Sequence, residues 1–291
     1  MTGKLQEEYR DAILQNSEES LIFGPKGEYW GIISQNNEDF IFPSPVNLSG
    51  WLDDTADWLG EGTSILEIGP GKAVLAGKVL SGKRNAKNYF IADISEGILN
   101  YAREQLGQMQ SPIKTHFIRG DLNTKNPLRE IKAGSLDRVI LVNVFGYLDP
   151  DIALSNIHRL LPRGGLLRLT VGDHEAFTRS EDYDPNINRQ YVRGRKFHAD
   201  AKIEPLGYTV SADGKKVPFY GYRRNYSKEE IETLLDKNGF ATEQFKVVVI
   251  PKELWLKVRS LQSNFRLNQE EEKLLEKYGG RPIWDIIARK K

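Results

Sequence analysis

The chain has 291 residues, enough for one large α/β domain carrying insertions. Lys and Arg total 41 against 40 Asp and Glu, and a net charge of +1 gives no general field for nucleic acid, which is therefore not expected as a partner. The absence of cysteine excludes disulfides, thiolate metal sites and cysteine nucleophiles, and four scattered histidines argue against a metal centre.

The first residues, Met1 to Glu8, lack the apolar core of a signal peptide, and no apolar run approaches the length of a membrane span. A soluble cytoplasmic protein without a membrane partner is expected. Leu5, Tyr9 and Ile13 form a single helical stripe, a short leading helix. Tyr29, Trp30, Ile32 and Ile33, then Asn36-Asn37, then Phe40 to Phe42 predict a small aromatic hairpin. A helix over 49–59 follows, with Trp51, Thr55, Trp58 and Leu59 on one side; its aromatics either cover a ligand or belong to the core.

Ile65-Leu66-Glu67-Ile68-Gly69-Pro70-Gly71-Lys72-Ala73 predicts a buried strand turning abruptly into a helix that begins near Lys72. Gly69 and Gly71 carry no Cβ, so backbone can approach a ligand there, and the helix N-terminus points N–H groups at it. The dinucleotide fingerprint wants a glycine at 74, where this chain has Val74. Glu67 would repel a pyrophosphate and attract an ammonium or sulfonium group.

From residue 64 onward apolar strands alternate with helix-like stretches, the pattern of a doubly wound sheet. Tyr89 to Ala92 is the second strand and ends in Asp93, one βα unit after Glu67, where a carboxylate can take both hydroxyls of a ribose. Thr115 to Ile118 is the third, followed by Gly120-Asp121-Leu122. Ser135 to Val144 gives the fourth, with Asn143 near its end. Ligands of such sheets sit at the carboxyl ends of strands, so Asn143, Phe145, Gly146 and Tyr147 are expected to face one.

A helix over 151–161 is stopped by Pro162-Arg163-Gly164-Gly165, and a fifth strand spans 166–171. His158 reads as an ordinary polar position on that helix. The interval 172–224 is too long for an ordinary connection and reads as a lid or insertion. Within it Arg189, Arg193, Arg195, Lys196 and Lys202 outnumber Asp200, which makes either an anion-receiving patch or a solvated face. Ser227 and Glu230 have capping-box spacing for a helix ending at Asn238-Gly239. A strand over 245–250, a helical insertion over 252–278 and a last strand over 282–288 complete the chain.

The glycine turn with its preceding acid resembles motif I of the class I S-adenosylmethionine (SAM)-dependent methyltransferases, acid-x-Gly-x-Gly-x-Gly. Glu67, Gly69 and Gly71 match it, and Ala73 stands in place of the third glycine. The resemblance covers 64–171 well and 226–250 and 281–289 loosely. It implies a Rossmann-like α/β fold: a mostly parallel seven-stranded sheet with helices on both faces, whose last strand, over 282–288, is antiparallel. The core would span 63–291, with insertions at 172–224 and 252–280, and a cap would form from residues 1–62 and the insertions.

It further implies SAM as cofactor, with Glu67, Gly69 and Gly71 at the glycine turn beside its cationic end, Asp93 and Ile94 at the ribose, Asp121 and Leu122 at the adenine, and Asn143 facing the methionine end or the substrate. The activity implied is O- or N-methylation of a small molecule or short peptide. The fourth strand does not end in the Asp/Asn-Pro-Pro-Tyr/Phe sequence of enzymes that methylate nucleobase amines. Where the acceptor must lose a proton, His174 is the first candidate base and Tyr147 the second. A nicotinamide-dependent oxidoreductase and a non-catalytic cofactor-binding protein remain as alternatives.

Overall fold

The computed structural model describes residues 48–82, 84–172, 207–210, 216–219, 226–254, 256 and 275–291. The leading helix, the aromatic hairpin, the basic stretch 189–202 and most of the 252–278 insertion lie outside the described residues.

Within them the chain runs α1 (Ser49–Gly60), β1 (Ser64–Ile68), α2 (Val74–Ser81), β2 (Asn88–Asp93), α3 (Glu96–Gly107), β3 (Lys114–Arg119), β4 (Arg138–Val142), α4 (Pro150–Leu160) and β5 (Leu166–Gly172). There follow β6 (Gly207–Val210), β7 (Lys216–Phe219), α5 (Lys228–Lys237), β8 (Phe240–Pro251) and β9 (Gly280–Lys290). Seven strands form one sheet in the order β3-β2-β1-β4-β5-β9-β8, while β6 and β7 pair as a separate antiparallel hairpin. Strands β1 to β5 are parallel, and β9 runs antiparallel to both β5 and β8. The sheet is thus the Rossmann-like, mostly parallel seven-stranded one expected. Its order reverses beside β1, so β1 and β4 flank the switch point where such sheets bind ligands.

The inner strands are apolar because both faces are covered. In β1, Ile65 packs with residues of α1, α2 and α3, including Leu59, Leu75, Val79, Leu99 and Leu106. Its neighbours Leu66 and Ile68 belong to the opposite core, with Leu154, Ile157 and Leu160 of α4 and Ile231 and Leu235 of α5. A leucine or isoleucine fully buried here contributes roughly 1.5–3 kcal/mol. Breaking either stripe with a charge would expose a whole face of the sheet.

Helix starts follow the sequence. Ser95 accepts from the Ile98 N–H to begin α3. Asp149 accepts from the Asp151 and Ile152 N–H groups, with Pro150 in the first turn of α4. In α5 the Ser227 and Glu230 capping box is complete in both directions.

Several boundaries differ from the sequence reading. Helix α2 begins at Val74, because Gly71 and Ala73 both take left-handed backbone (φ +53° and +56°) that cannot enter a helix. Strand β4 stops at Val142, since Asn143 is left-handed too (φ +58°). Strand β8 begins at Phe240 rather than 245; a register shift between Thr242 and Gln244 carries it through polar residues that alternate too weakly to read as strand.

A polar cluster crosses the first of these cores. Arg168 on β5 donates from Nε (2.9 Å) and Nη2 (2.5 Å) to the carboxylate of Asp285 on β9. Trp51 of α1 donates its indole N–H to the same carboxylate at 2.9 Å. The Arg168 guanidinium also lies 5.0 Å from the ring centre of Trp51 and 5.7 Å from that of Trp58. The cluster is buried, with Asp285 only 1% exposed, and it pins α1 to the centre of the antiparallel half of the sheet.

Candidate cofactor site

Register sets four loops side by side at the carboxyl edge of the sheet. Ile68, the last residue of β1, lies opposite Ala92 of β2 and Leu141 of β4, and Ala92 lies opposite Ile118 of β3. The Gly69 N–H then donates to the Ala92 carbonyl at 2.8 Å, and the Gly120 N–H to the Asp93 carbonyl at 3.0 Å. The glycine turn, Asp93, Asp121 and Asn143 therefore emerge from neighbouring strands on one edge.

Between β1 and α2 the chain makes three left-handed residues, Gly69, Gly71 and Ala73. The two glycines serve different ends. A Cβ on Gly69 would sit 2.3 Å from Cγ2 of Val144, so this glycine lets the turn pack on the loop after β4. A Cβ on Gly71 would meet no atom of the described residues within 4 Å, so the glycine keeps space clear beside the turn. Ala73, the residue in place of a third glycine, is 2% exposed and packs inward with the α2 core. Its methyl therefore takes up buried rather than open space.

Glu67 lies inside β1, 3% exposed, and accepts a 2.8 Å hydrogen bond from the Tyr89 hydroxyl. Burial raises its pKa from 4.5 to about 7, and the Tyr89 bond offsets only part of that. The same burial, with the carboxylate beside it, pushes the Tyr89 phenol well above its ordinary range.

Asp93, half-buried at the end of β2, accepts from the Ser95 N–H at 2.8 Å. Its pKa rises from 3.8 to about 7 because burial outweighs the bonds it accepts from the Ser95 and Ile94 amides. The Ile94 carbonyl takes the Arg119 Nε–H at 3.2 Å, which ties the loops after β2 and β3 together.

Asp121 shapes its own turn, accepting from the Asn123 N–H through its side chain (2.9 Å) and from Thr124 through its carbonyl. Leu122 is buried. The turn is fixed from outside by Asn156 on α4, whose amide donates to the carbonyls of Leu122 (3.1 Å) and Thr124 (3.0 Å). No sequence signal singled out Asn156, since its partners stand in a loop far away along the chain.

Asn143 follows β4 directly, and its N–H donates to the Thr170 hydroxyl at 2.9 Å. Phe145, Gly146 and Tyr147 form a single 3-10 turn after it, with Tyr147 half-buried. His174 lies outside the described residues. His158 is half-buried on α4, edge-on to Phe240 at 5.6 Å, and burial followed by the nearby Lys290 charge lowers its pKa; it stays a structural position.

Residues 66–169 match the family model described as "Methyltransferase domain". A SAM-dependent methyltransferase from Methanosarcina mazei has a similar fold, with a TM-score of 0.50 and 14% identity over 79% of this chain and 93% of that one. Magnesium protoporphyrin IX methyltransferase from Synechocystis PCC 6803, solved with bound S-adenosylhomocysteine (SAH), gives 0.51 and 13% over 98% and 99%. Residues 66–169 thus carry a methyltransferase domain. The same fold also supports other chemistry: the [4+2]-cyclase SpnF superposes with a TM-score of 0.53 at 16% identity, over 84% of this chain and 80% of that one. No curated protein matches the chain.

The residues at the carboxyl edge of the sheet have the chemistry to hold SAM. The turn leaves open space at Gly71, where a Cβ would otherwise stand, and carboxylates end or precede three of the four loops. Carboxylate acceptors suit an adenosine with two ribose hydroxyls and a cationic methionine end better than a pyrophosphate.

Proposed function

We propose that the protein transfers the methyl group of SAM to oxygen or nitrogen of a small molecule or short peptide. The observation that carries this reading is the left-handed turn 69–73 between a buried acid and Asp93. It can cradle a cationic nucleoside.

When bound, the cofactor supplies an electrophilic methyl on a sulfonium. The chain's own part is to hold and to exclude water. Asp93 accepts from the ribose hydroxyls, with Ile94 beside it; Asp121 accepts from the adenine amine while Leu122 lines the ring; Glu67, Gly69, Gly71 and Asn143 receive the methionine end. In-line displacement needs donor and acceptor held in near-attack geometry in a dry pocket, so positioning supplies most of the rate. Where the acceptor carries a proton, His174 removes it, with Tyr147 second in line. Residues 1–62 and the insertions at 172–224 and 252–280 select the acceptor.

Thermal unfolding with SAM, SAH and NAD, on wild type and Asp93→Ala, tests the cofactor. A ligand at about a hundred times its Kd stabilises by roughly 2.7 kcal/mol. Stabilisation by the first two ligands that is lost in Asp93→Ala is expected; stabilisation by NAD alone would overturn the reading. Methyl transfer from labelled SAM across a panel of hydroxyl, amine and peptide acceptors then separates an enzyme from a protein that only binds.

A further inference from the structure

Strand β5 is buried and apolar apart from Arg168 and Thr170, and Thr170 is fully buried. Valine fills the same space in a strand without a hydroxyl to satisfy, so the Thr170 hydroxyl calls for a partner. It has one in Asn143. The Asn143 N–H donates to Thr170 Oγ1 at 2.9 Å, and that hydroxyl in turn faces Asn143 Oδ1 at 3.3 Å, to which it donates. Asn143 is at φ +58°, a conformation that asparagine tolerates better than most residues but still at a cost. Its side chain and backbone are thus clamped together at the end of β4, on the carboxyl edge that carries the glycine turn and Asp93.

The position of the clamp is fixed independently. Thr170 lies opposite Val142 across the β4–β5 ladder and opposite Asp285 across the β5–β9 ladder. Two residues before it on β5, Arg168 is locked to that same Asp285. The hydroxyl is therefore presented by a rigid strand, and any movement of Asn143 must be made against it.

We infer that Thr170 is a positioning residue for the cofactor site, holding Asn143 in the left-handed conformation in which it meets the ligand. The inference rests on the reading of Asn143 as a cofactor contact. Thr170 itself touches no ligand; it acts through Asn143.

The test is calorimetric titration of SAH into wild type, Thr170→Val, Thr170→Ala and Thr170→Ser, beside unfolding of each without ligand. Val and Ala, which leave the Asn143 N–H without its acceptor, are expected to weaken binding about tenfold, and Ser to stay within about twofold of wild type. A purely structural role would lower the unfolding midpoints but leave the Kd, measured well below them, unchanged. An unchanged Kd in Val or Ala, or Ser as weak as Val, would overturn the assignment while leaving the cofactor reading intact. Should Val not fold, Ala and Ser decide in the same way. Wild type that binds no SAH overturns the cofactor reading and this assignment with it.

Discussion

The Tyr89 hydroxyl donates to Glu67 across the β1–β2 ladder, and burial holds that carboxyl protonated to about pH 7. Below pH 4.5 the group is protonated in the folded and unfolded chain alike. Between 4.5 and about 7 only the folded chain keeps the proton, so the stability present at low pH is lost as pH rises through that window. A change of this size corresponds to up to about 3 kcal/mol. Asp93 adds a slope of the same sign. Glu67→Gln should therefore flatten the fall in urea midpoint between about pH 5.5 and 7.5 and leave the part due to Asp93. A variant whose midpoints track wild type at both values would show that Glu67 titrates normally.

On the proposal that Asp93 accepts from the ribose hydroxyls as a carboxylate, its carboxyl, protonated to about pH 7 in the free protein, must first ionise. Binding must then release a proton, and affinity for SAH should rise with pH until it levels above 7, by up to about tenfold per unit below. Titrations in buffers of different ionisation enthalpy report the released proton directly. Asp93→Asn should bind weakly and without that slope.

The two turn glycines should separate fold from binding. Gly69→Ala drives a methyl into Val144 at a left-handed position and should lower stability by about 2–4 kcal/mol. Gly71→Ala meets no atom of the described residues and carries only the backbone cost, about 1–2 kcal/mol, yet fills the space that the proposed cofactor would use. Denaturant midpoints paired with SAH titrations distinguish them; equal losses of stability in both would contradict the assignment of open space.

Removing one side of the buried pair leaves a stranded charge. Asp285→Ala should cost about 3–5 kcal/mol, whereas replacing Arg168 and Asp285 by Met and Leu together with Trp51→Phe should be nearly neutral. Trp51→Phe loses only the indole bond, about 1 kcal/mol. A double-mutant cycle on Trp51 and Asp285 measures their coupling, and none is expected once Asp285 is gone.

Much of the sheet's carboxyl edge, where the candidate site lies, was legible because its signals are local. The acid and glycines at 67, 69 and 71 stand within one turn, Asp93 ends a strand whose apolar run is continuous, and Ser227 with Glu230 is a spacing that only a helix start uses. What could not be read was held by contacts distant in sequence. Arg168 looks like an interruption in β5 until Asp285 and Trp51 are beside it, Asn156 looks like a solvent position until the 121–124 turn is seen, and Thr170 has no meaning without Asn143. Backbone handedness was hidden as well: the alanine at 73 and asparagine at 143 gave no warning of positive φ, and each moved an element boundary.

The bond between Trp51 and Asp285 spans 234 residues, and it orders events during synthesis. The parallel strands β1 to β5 can assemble as the chain leaves the ribosome, but the berth for the Trp51 indole does not exist until β9 has been made and inserted between β5 and β8. Until then α1 has its apolar contacts and lacks its polar anchor, and Arg168 waits in β5 with its charge unmatched. Such long-range closure slows folding relative to a local helix pair, and it leaves the nascent protein dependent on β9 to neutralise a charge laid down more than a hundred residues earlier.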